Sequence, residues 1–235
     1  RRPIMAGLDQ QYIISRMAEI QAENEHRKGK YGTISGYISA TRLLSEMRDD
    51  TGLQEWRKSI GEKKADAITE AATTRGRRMH ELIESYFNNE SIDLDLTKPG
   101  DSHYNKIKPL LSKVNPWFVE TCLFSDKLGI TGKTDTIGLY DGVLSTIDYK
   151  TSRKPKKLEW MKSYGVQIAL YSIMFYDMLG VSIRQGVLLN APDDDDSFDL
   201  PTPPQCITFK VSDYVPLALS ILKQYREGKR KCIVL

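Results

Sequence analysis

The dipeptide Asp141-Gly142 constrains the fold of this chain more than any other feature. It separates two runs, residues 131–140 and 143–151, that read as strands. Asp-Gly between such runs is a favoured hairpin turn because both positions accept positive φ. The turn sets the register: Tyr140 faces Val143, and counting outward puts Asp135 opposite Asp148. Side chains directly opposite in an antiparallel pair have Cβ atoms about 4.5–5.5 Å apart, and like charges there weaken the sheet unless a cation or a shared proton intervenes. Lys150 follows Asp148 at the next position on the same face. Carboxylate oxygens suit a hard cation such as Mg²⁺, which polarises a phosphate and lowers the pKa of a bound water. The lysine would offset charge growing on that phosphate. A bland reading stands beside this one: a surface hairpin with solvated carboxylates and an ion-paired lysine.

The flanking sequence supplies helices and further strands. Tyr12, Ile13, Met17 and Ile20 recur at helical spacing, and Ser39 is placed to cap a short helix carrying Leu43, Leu44 and Met47. Residues 49–52 break that helix, and Trp56 and Ile60 open another amphipathic stretch. A longer helix is expected over residues 62–87, where Ala65, Ile68, Ala72, Met79, Ile83 and Tyr86 fall near one stripe. Gly76 inside it costs about 1 kcal/mol relative to Ala. Close approach of backbone or phosphate would explain that residue, and so would a kink. Residues 88–115 are polar and turn-rich, with Pro99, Gly100 and Pro109. A strand over 118–124 precedes the hairpin, and residues 157–179 return to helical spacing. Residues 183–189 and 206–210 read as strands, residues 191–204 as an acidic loop, and Ser212 opens a last helix. The order implies a mixed α/β core preceded by a helical region.

Composition sets the outer limits. A chain of 235 residues, 40% hydrophobic and 28% charged, is neither disordered nor collagen-like nor a coiled coil. No apolar run is long enough to span a membrane, and no secretory pattern opens the sequence. Cys122, Cys206 and Cys232 make no disulfide framework, which points to a reducing compartment, and an iron–sulfur cluster needs about four thiolates. The 34 basic and 31 acidic residues leave a net charge of +3, too mild to announce a nucleic-acid binder by bulk charge. Their distribution says more. Lys150, Arg153, Lys154, Lys156, Lys157 and Lys162 crowd around a single acid, Glu159. Arg75, Arg77 and Arg78 form a second cluster, residues 223–231 a third, and acids gather at 193–196. Solvated faces account for many such runs, yet segregation of this kind can create a positive cleft on a nearly neutral protein.

An ordered set of motifs goes further. Gly76, His80 and Glu84 sit at four-residue steps on the long helix, Gly132 and Asp135 form G-x-x-D, residues 147–151 read I-D-Y-K-T, and Gln167 and Tyr171 form Q-x-x-x-Y. Each motif alone is weak. In this order they resemble the PD-(D/E)XK nuclease superfamily, in its RecB-like branch, and within it the phage and mitochondrial genome-maintenance exonucleases. Ser39-Ala40-Thr41, Trp56-Arg57 and Arg75-Gly76 echo the N-terminal region of that group, and the resemblance covers about residues 31–190.

The resemblance implies a restriction-endonuclease-like core over residues 62–235, a central mixed β-sheet flanked by helices. Residues 1–61 would then be a helical region fencing the DNA entry. It implies Mg²⁺ or Mn²⁺ bound by His80, Asp135, Asp148 and the main-chain carbonyl of Tyr149, with Lys150 as the catalytic lysine. Gln167 and Tyr171 would orient the site or contact DNA, and Glu120 would be a supporting acid. Asp148 departs from the Glu of many members, and the cysteines of the iron–sulfur subfamilies are missing. Arg75, Arg77, Arg78, Thr151, Arg153 and Lys154 would contact DNA, phosphates above all, and positions like these hold a strand without reading its sequence. Trp56, Tyr164 and Tyr31 are candidates to stack on unpaired bases or to pack in the core. The expected activity is a metal-dependent deoxyribonuclease, a single-strand-preferring exonuclease of DNA replication, recombination or repair. The alternatives are a non-catalytic nucleic-acid-binding module on the same fold and a structure-specific or RNA-directed nuclease. The expected compartment is the cytoplasm of a bacterial or phage-infected cell, or the mitochondrial matrix if a targeting segment has been removed.

Overall fold

Helical stripes and alternating runs resolve into seven α-helices and six strands among residues 9–29, 32–157, 161–194, 201–231 and 233, which the computed structural model describes. Helix α1 (Gln10–Glu23) is capped by the Asp9 carboxylate and buries Ile13, Met17 and Ile20. Strand β1 (Ile38–Ser39) leads into α2 (Ala40–Met47), where Ser39 Oγ accepts the Arg42 N–H at 3.2 Å, the expected cap. Helix α3 (Thr51–Ile60) buries no residue, and Arg57 ties it to Glu62 and Asp66 of α4 (Glu62–Phe87). Helix α4 runs over the expected range without interruption at Gly76, but of its stripe only Ala65, Met79 and Ile83 are buried, joined by Leu82, and Ala72 faces out.

The turn-rich stretch after α4 is corrected by α5 (Asp101–Leu111). Tyr104, Ile107 and Leu111 form its buried stripe. Pro109 in the last turn and the buried polar residues Asp101 and His103 disguised that periodicity, since proline argues against a helix and polar residues break an apolar pattern. The remaining elements are β2 (Val114–Ser125), β3 (Ile130–Tyr140), β4 (Val143–Ser152), α6 (Lys162–Leu179), β5 (Gln185–Pro192), β6 (Gln205–Lys210) and α7 (Val215–Arg226). Residues 158–160 of the expected helix, with Glu159 and Trp160, lie outside the described residues, as do Tyr31, Cys232 and residues 195–196.

The six strands form one mixed sheet. Strands β2, β3 and β4 pair antiparallel in sequence, β4 pairs parallel with β5 after the α6 crossover, and β6 closes the far edge antiparallel to β5. Strand β2 pairs only with β3, and such an edge tolerates its Pro116. The hairpin register is as expected from Tyr140↔Val143 to Thr136↔Ile147. There the ladder stops, so Asp135 and Asp148 are the first residues past it and not a bonded pair. Because β2 occupies one edge of β3 along its length, β1 and β4 must share the other. Strand β1 pairs with Ile130 and Thr131, which leaves residues 132–135 of β3 open between β1 and β4.

Helices cover both faces of the sheet. On one, α4 and α5 pack Met79, Leu82, Ile83, Tyr104 and Ile107 against Ile147, Tyr149 and Val187. On the other, α6 and α7 share one core with α1 and α2, whose Ile13, Met17, Leu43 and Met47 are essentially inaccessible. Each such side chain contributes about 1.5–3 kcal/mol by leaving water, which binds the first two helices to the sheet. No helix among the described residues is long and apolar enough to cross a membrane.

Candidate active site

The opening in the sheet is where the polar residues meet. On the side of β4 away from β5 the ladder with β3 has ended, and Asp135 Oδ2 accepts the Tyr149 N–H at 2.9 Å. The Tyr149 side chain turns to the opposite face, where it is buried and its hydroxyl bonds Thr136 Oγ1 at 3.0 Å. Helix α4 reaches the opening with His80, whose Nε2 lies 2.8 Å from the Tyr149 carbonyl. A carbonyl only accepts, so Nε2 carries the proton, and Nδ1 faces Asp135 Oδ1 at 3.6 Å and Glu120 Oε1 at 3.8 Å. Glu120 comes from β2 at a φ of +49°, a left-handed conformation rare for a residue inside a strand. That twist accompanies an ion pair with Lys133 Nζ at 2.7 Å. Gly132 opens the same segment for packing: a Cβ there would stand 2.6 Å from Tyr171 Cε1, and the buried Tyr171 hydroxyl accepts from Gln167 Nε2 at 3.1 Å.

Donor atoms of His80, Glu120 and Asp135 lie within 4.8 Å of one another, a set that could hold a metal ion. Asp148 is not in that group. It is buried beside Lys150, whose Nζ donates to Oδ1 at 2.7 Å. Oδ2, at 2.6 Å from the same ammonium, is buried without a hydrogen bond of its own. The two carboxylate oxygens suit a hard divalent cation such as Mg²⁺ or Mn²⁺, and the imidazole nitrogen suits the more transition-metal-like of these. The residues therefore fit a divalent metal.

The charges support one another. Burial acts to lower the His80 pKa, but Asp135 and Glu120 outweigh it and raise it from 6.5 to about 9. Burial pushes Glu120 up, yet His80 and Lys133 hold it below the ordinary range. Burial raises Asp148 to about 6 against the pull of Lys150. Lys150 would be lowered by burial, but Asp148 and Asp135 keep it above the usual lysine value. At neutral pH the metal-free centre thus sets carboxylates against two ammoniums and an imidazolium. A cavity of about 450 Å³ opens on it, walled by Arg77, Glu81, Glu84, Glu120, Lys133 and Asp135.

The remaining residues singled out in the sequence divide by what they touch. Arg77 is exposed at the cavity rim, 3.8 Å from Glu81. Arg75 Nε bonds Thr151 Oγ1 at 3.2 Å, and its Nη1 lies 3.3 Å from Asp193 Oδ2. Arg78 is committed to the buried Asp101, Nε to Oδ1 at 2.7 Å. Arg153 and Lys154 are exposed after β4, and Trp56 is half-buried on α3. The acidic stretch is no simple exposed loop in its described part: Asp193 also holds His103 Nε2 at 2.7 Å, and Asp194 holds Lys106 Nζ at 2.6 Å. Lys133 went unnoticed in the sequence. Its alternation with Asp135 on β3 was a signal, but its partner Glu120 was not, because the positive φ breaks the strand's regular facing.

The molecule is thus an α/β protein whose mixed sheet carries an acidic, histidine-containing cluster able to take a metal. Its sequence is 28% identical over 130 residues to mitochondrial genome maintenance exonuclease 1 of Homo sapiens, a match taking in 50% of this chain and 37% of that one. The match supports a distant, nuclease-like relationship. Among solved structures, SSO0001 is similar with a TM-score of 0.39 at 16% identity, over 92% of this chain and 87% of that one. No protein-family model matches the chain.

Proposed function

We propose that this chain is a metal-dependent deoxyribonuclease of the PD-(D/E)XK superfamily, RecB-like branch, that hydrolyses DNA from an end and prefers single strands. The observation that carries the reading is the convergence of His80, Glu120 and Asp135 beside the buried Asp148–Lys150 pair. Kinship with a genome maintenance exonuclease supports DNA as the substrate.

His80, Glu120 and Asp135 would hold the cation, with Asp148 at its side. When bound, the cation would supply Lewis-acid polarisation of the phosphate and a more acidic water. The protein's own residues prepare the site for it. The Tyr149 carbonyl fixes the His80 ring so that Nδ1 stays aimed at the carboxylates. The Tyr149 N–H holds Asp135, and Lys133 holds Glu120, so neither carboxylate needs reorganising. Asp148 keeps the Lys150 ammonium in place, a fixed positive charge for a phosphate that gains negative charge as its bond breaks. Arg77 at the cavity rim would meet a neighbouring phosphate.

The test is degradation of end-labelled linear single strands in Mg²⁺ or Mn²⁺. Lys150→Ala and Asp135→Asn should each lower the rate by about a hundredfold or more. A circular single strand should survive, and an RNA strand should be cut more slowly. Unchanged rates in both variants would refute the proposal, and tight salt-sensitive binding without turnover would favour a non-catalytic binder.

A further inference from the structure

A second cavity, unused by the reaction above, lies between α2 and α6. Its volume is about 330 Å³, and Thr41, Leu44 and Ser45 of α2 and Arg48 at its C-terminal cap line it opposite Ser163 and Tyr164 of α6. That volume sits at the lower end of small-ligand pockets. The lining is three aliphatic hydroxyls, one guanidinium, one apolar side chain, one phenol and the Gln167 carboxamide. Among the described residues no carboxylate lines it, whereas four line the cavity at His80. A phosphate ester is repelled by the cavity at His80 unless a cation intervenes, and accepted by the one between α2 and α6.

Tyr164 joins this cavity to the reacting centre. Lys150 Nζ lies 6.0 Å from the centroid of its ring. Lys156 Nζ donates to its hydroxyl at 2.7 Å, and the Lys156 main chain is itself clamped by Gln205, N–H to Oε1 at 2.7 Å and carbonyl to Nε2 at 3.1 Å. The ring is a braced wall, and a base that stacks on it need not first immobilise it. Gln167, at the cavity's inner end, donates to the Tyr171 hydroxyl beside the opening in the sheet. Ser163 lies in the first turn of α6, where the helix dipole adds to the positive potential.

We propose that this cavity is a nucleotide subsite. It holds the nucleotide next to the scissile phosphate, with the base against Tyr164 and Leu44 and the outward phosphate at Arg48 and Ser163. This deepens the nuclease reading and rests on it for the identity of the strand. It also sets the path of the strand, which enters over α2 and leaves by the acidic cavity.

Two measurements keep the two ideas apart. The first is calorimetric binding of thymidine 3′,5′-bisphosphate in EDTA, and the second is the hydrolysis of a labelled oligothymidylate in Mg²⁺ or Mn²⁺. Arg48→Ala removes the charge, Ser45→Trp fills the cavity from its exposed side, and Tyr164→Leu removes the ring; circular dichroism confirms the fold of each. Binding should weaken about tenfold or more in every variant, and KM should rise in parallel with kcat held within about twofold. If the parent hydrolyses the strand and all three variants bind and cut as it does, the subsite is overturned and the nuclease stands. If the parent cuts nothing, the nuclease reading fails, and calorimetry alone decides: binding lost in the variants upholds a nucleotide site, and no binding by the parent overturns it.

Discussion

In the metal-free protein, His80 should govern how stability changes between pH 6.5 and 9. Its pKa is raised from 6.5 to about 9 by carboxylates that outweigh burial. A group protonated more readily when folded stabilises the fold, and each tenfold preference is worth about 1.4 kcal/mol. The interval gives about 3 kcal/mol, fully present below pH 6.5 and lost as the pH rises through about 9. Urea unfolding in EDTA at either end of that range measures it, with His80→Gln as reference because it keeps a donor toward the Tyr149 carbonyl. The parent should lose about 3 kcal/mol more than the variant. Equal losses would refute the charge balance drawn for the site. A divalent cation bound at this cluster would have to displace the proton on Nδ1, so any stabilisation by added Mg²⁺ should grow over the same range.

Three further outcomes follow from packing. Gly76→Ala should add about 1 kcal/mol and raise the melting temperature by roughly 2–4 °C, because its Cβ would stand 3.9 Å from Thr151 Oγ1, an ordinary contact; a lower melting temperature would show an unseen clash. Gly132→Ala should cost about 1–3 kcal/mol in urea unfolding, since its Cβ meets Tyr171 Cε1 at 2.6 Å. Arg78→Met strands the buried Asp101 carboxylate and should cost about 2–4 kcal/mol at neutral pH. Arg78 holds the Asp101 pKa low, so that difference should shrink as acid protonates the carboxyl below about pH 4.

What the sequence disclosed, it disclosed where the cause is local. Asp141-Gly142 determined the turn, and alternation then carried the register inward to Thr136↔Ile147. The bounds of α4 were legible because Gly61 and the Asn88-Asn89 pair punctuate them. Helix α5 was not, because its apolar stripe is diluted by Asp101 and His103, polar residues whose partners Arg78 and Asp193 are far along the chain. His80, Asp135 and Glu120 were all named from the sequence, Glu120 only as a supporting acid, and the spacing could not show how the three meet. Pairing by register favoured Asp148 as the companion of Asp135, but the ladder ends one step early, and Glu120 arrives from a third strand through a backbone twist that no periodicity records. The break itself depends on β1, two residues that meet β3 from more than ninety positions away.

That break means that Asp135 is at once a candidate metal ligand and a substitute rung of the sheet. A chain that has not zipped its strands has no Tyr149 amide in place to orient the acid, and no histidine delivered to it from across the layer. The donor set that could take a metal is therefore assembled last, with the finished fold, and a half-zipped chain presents no such cluster.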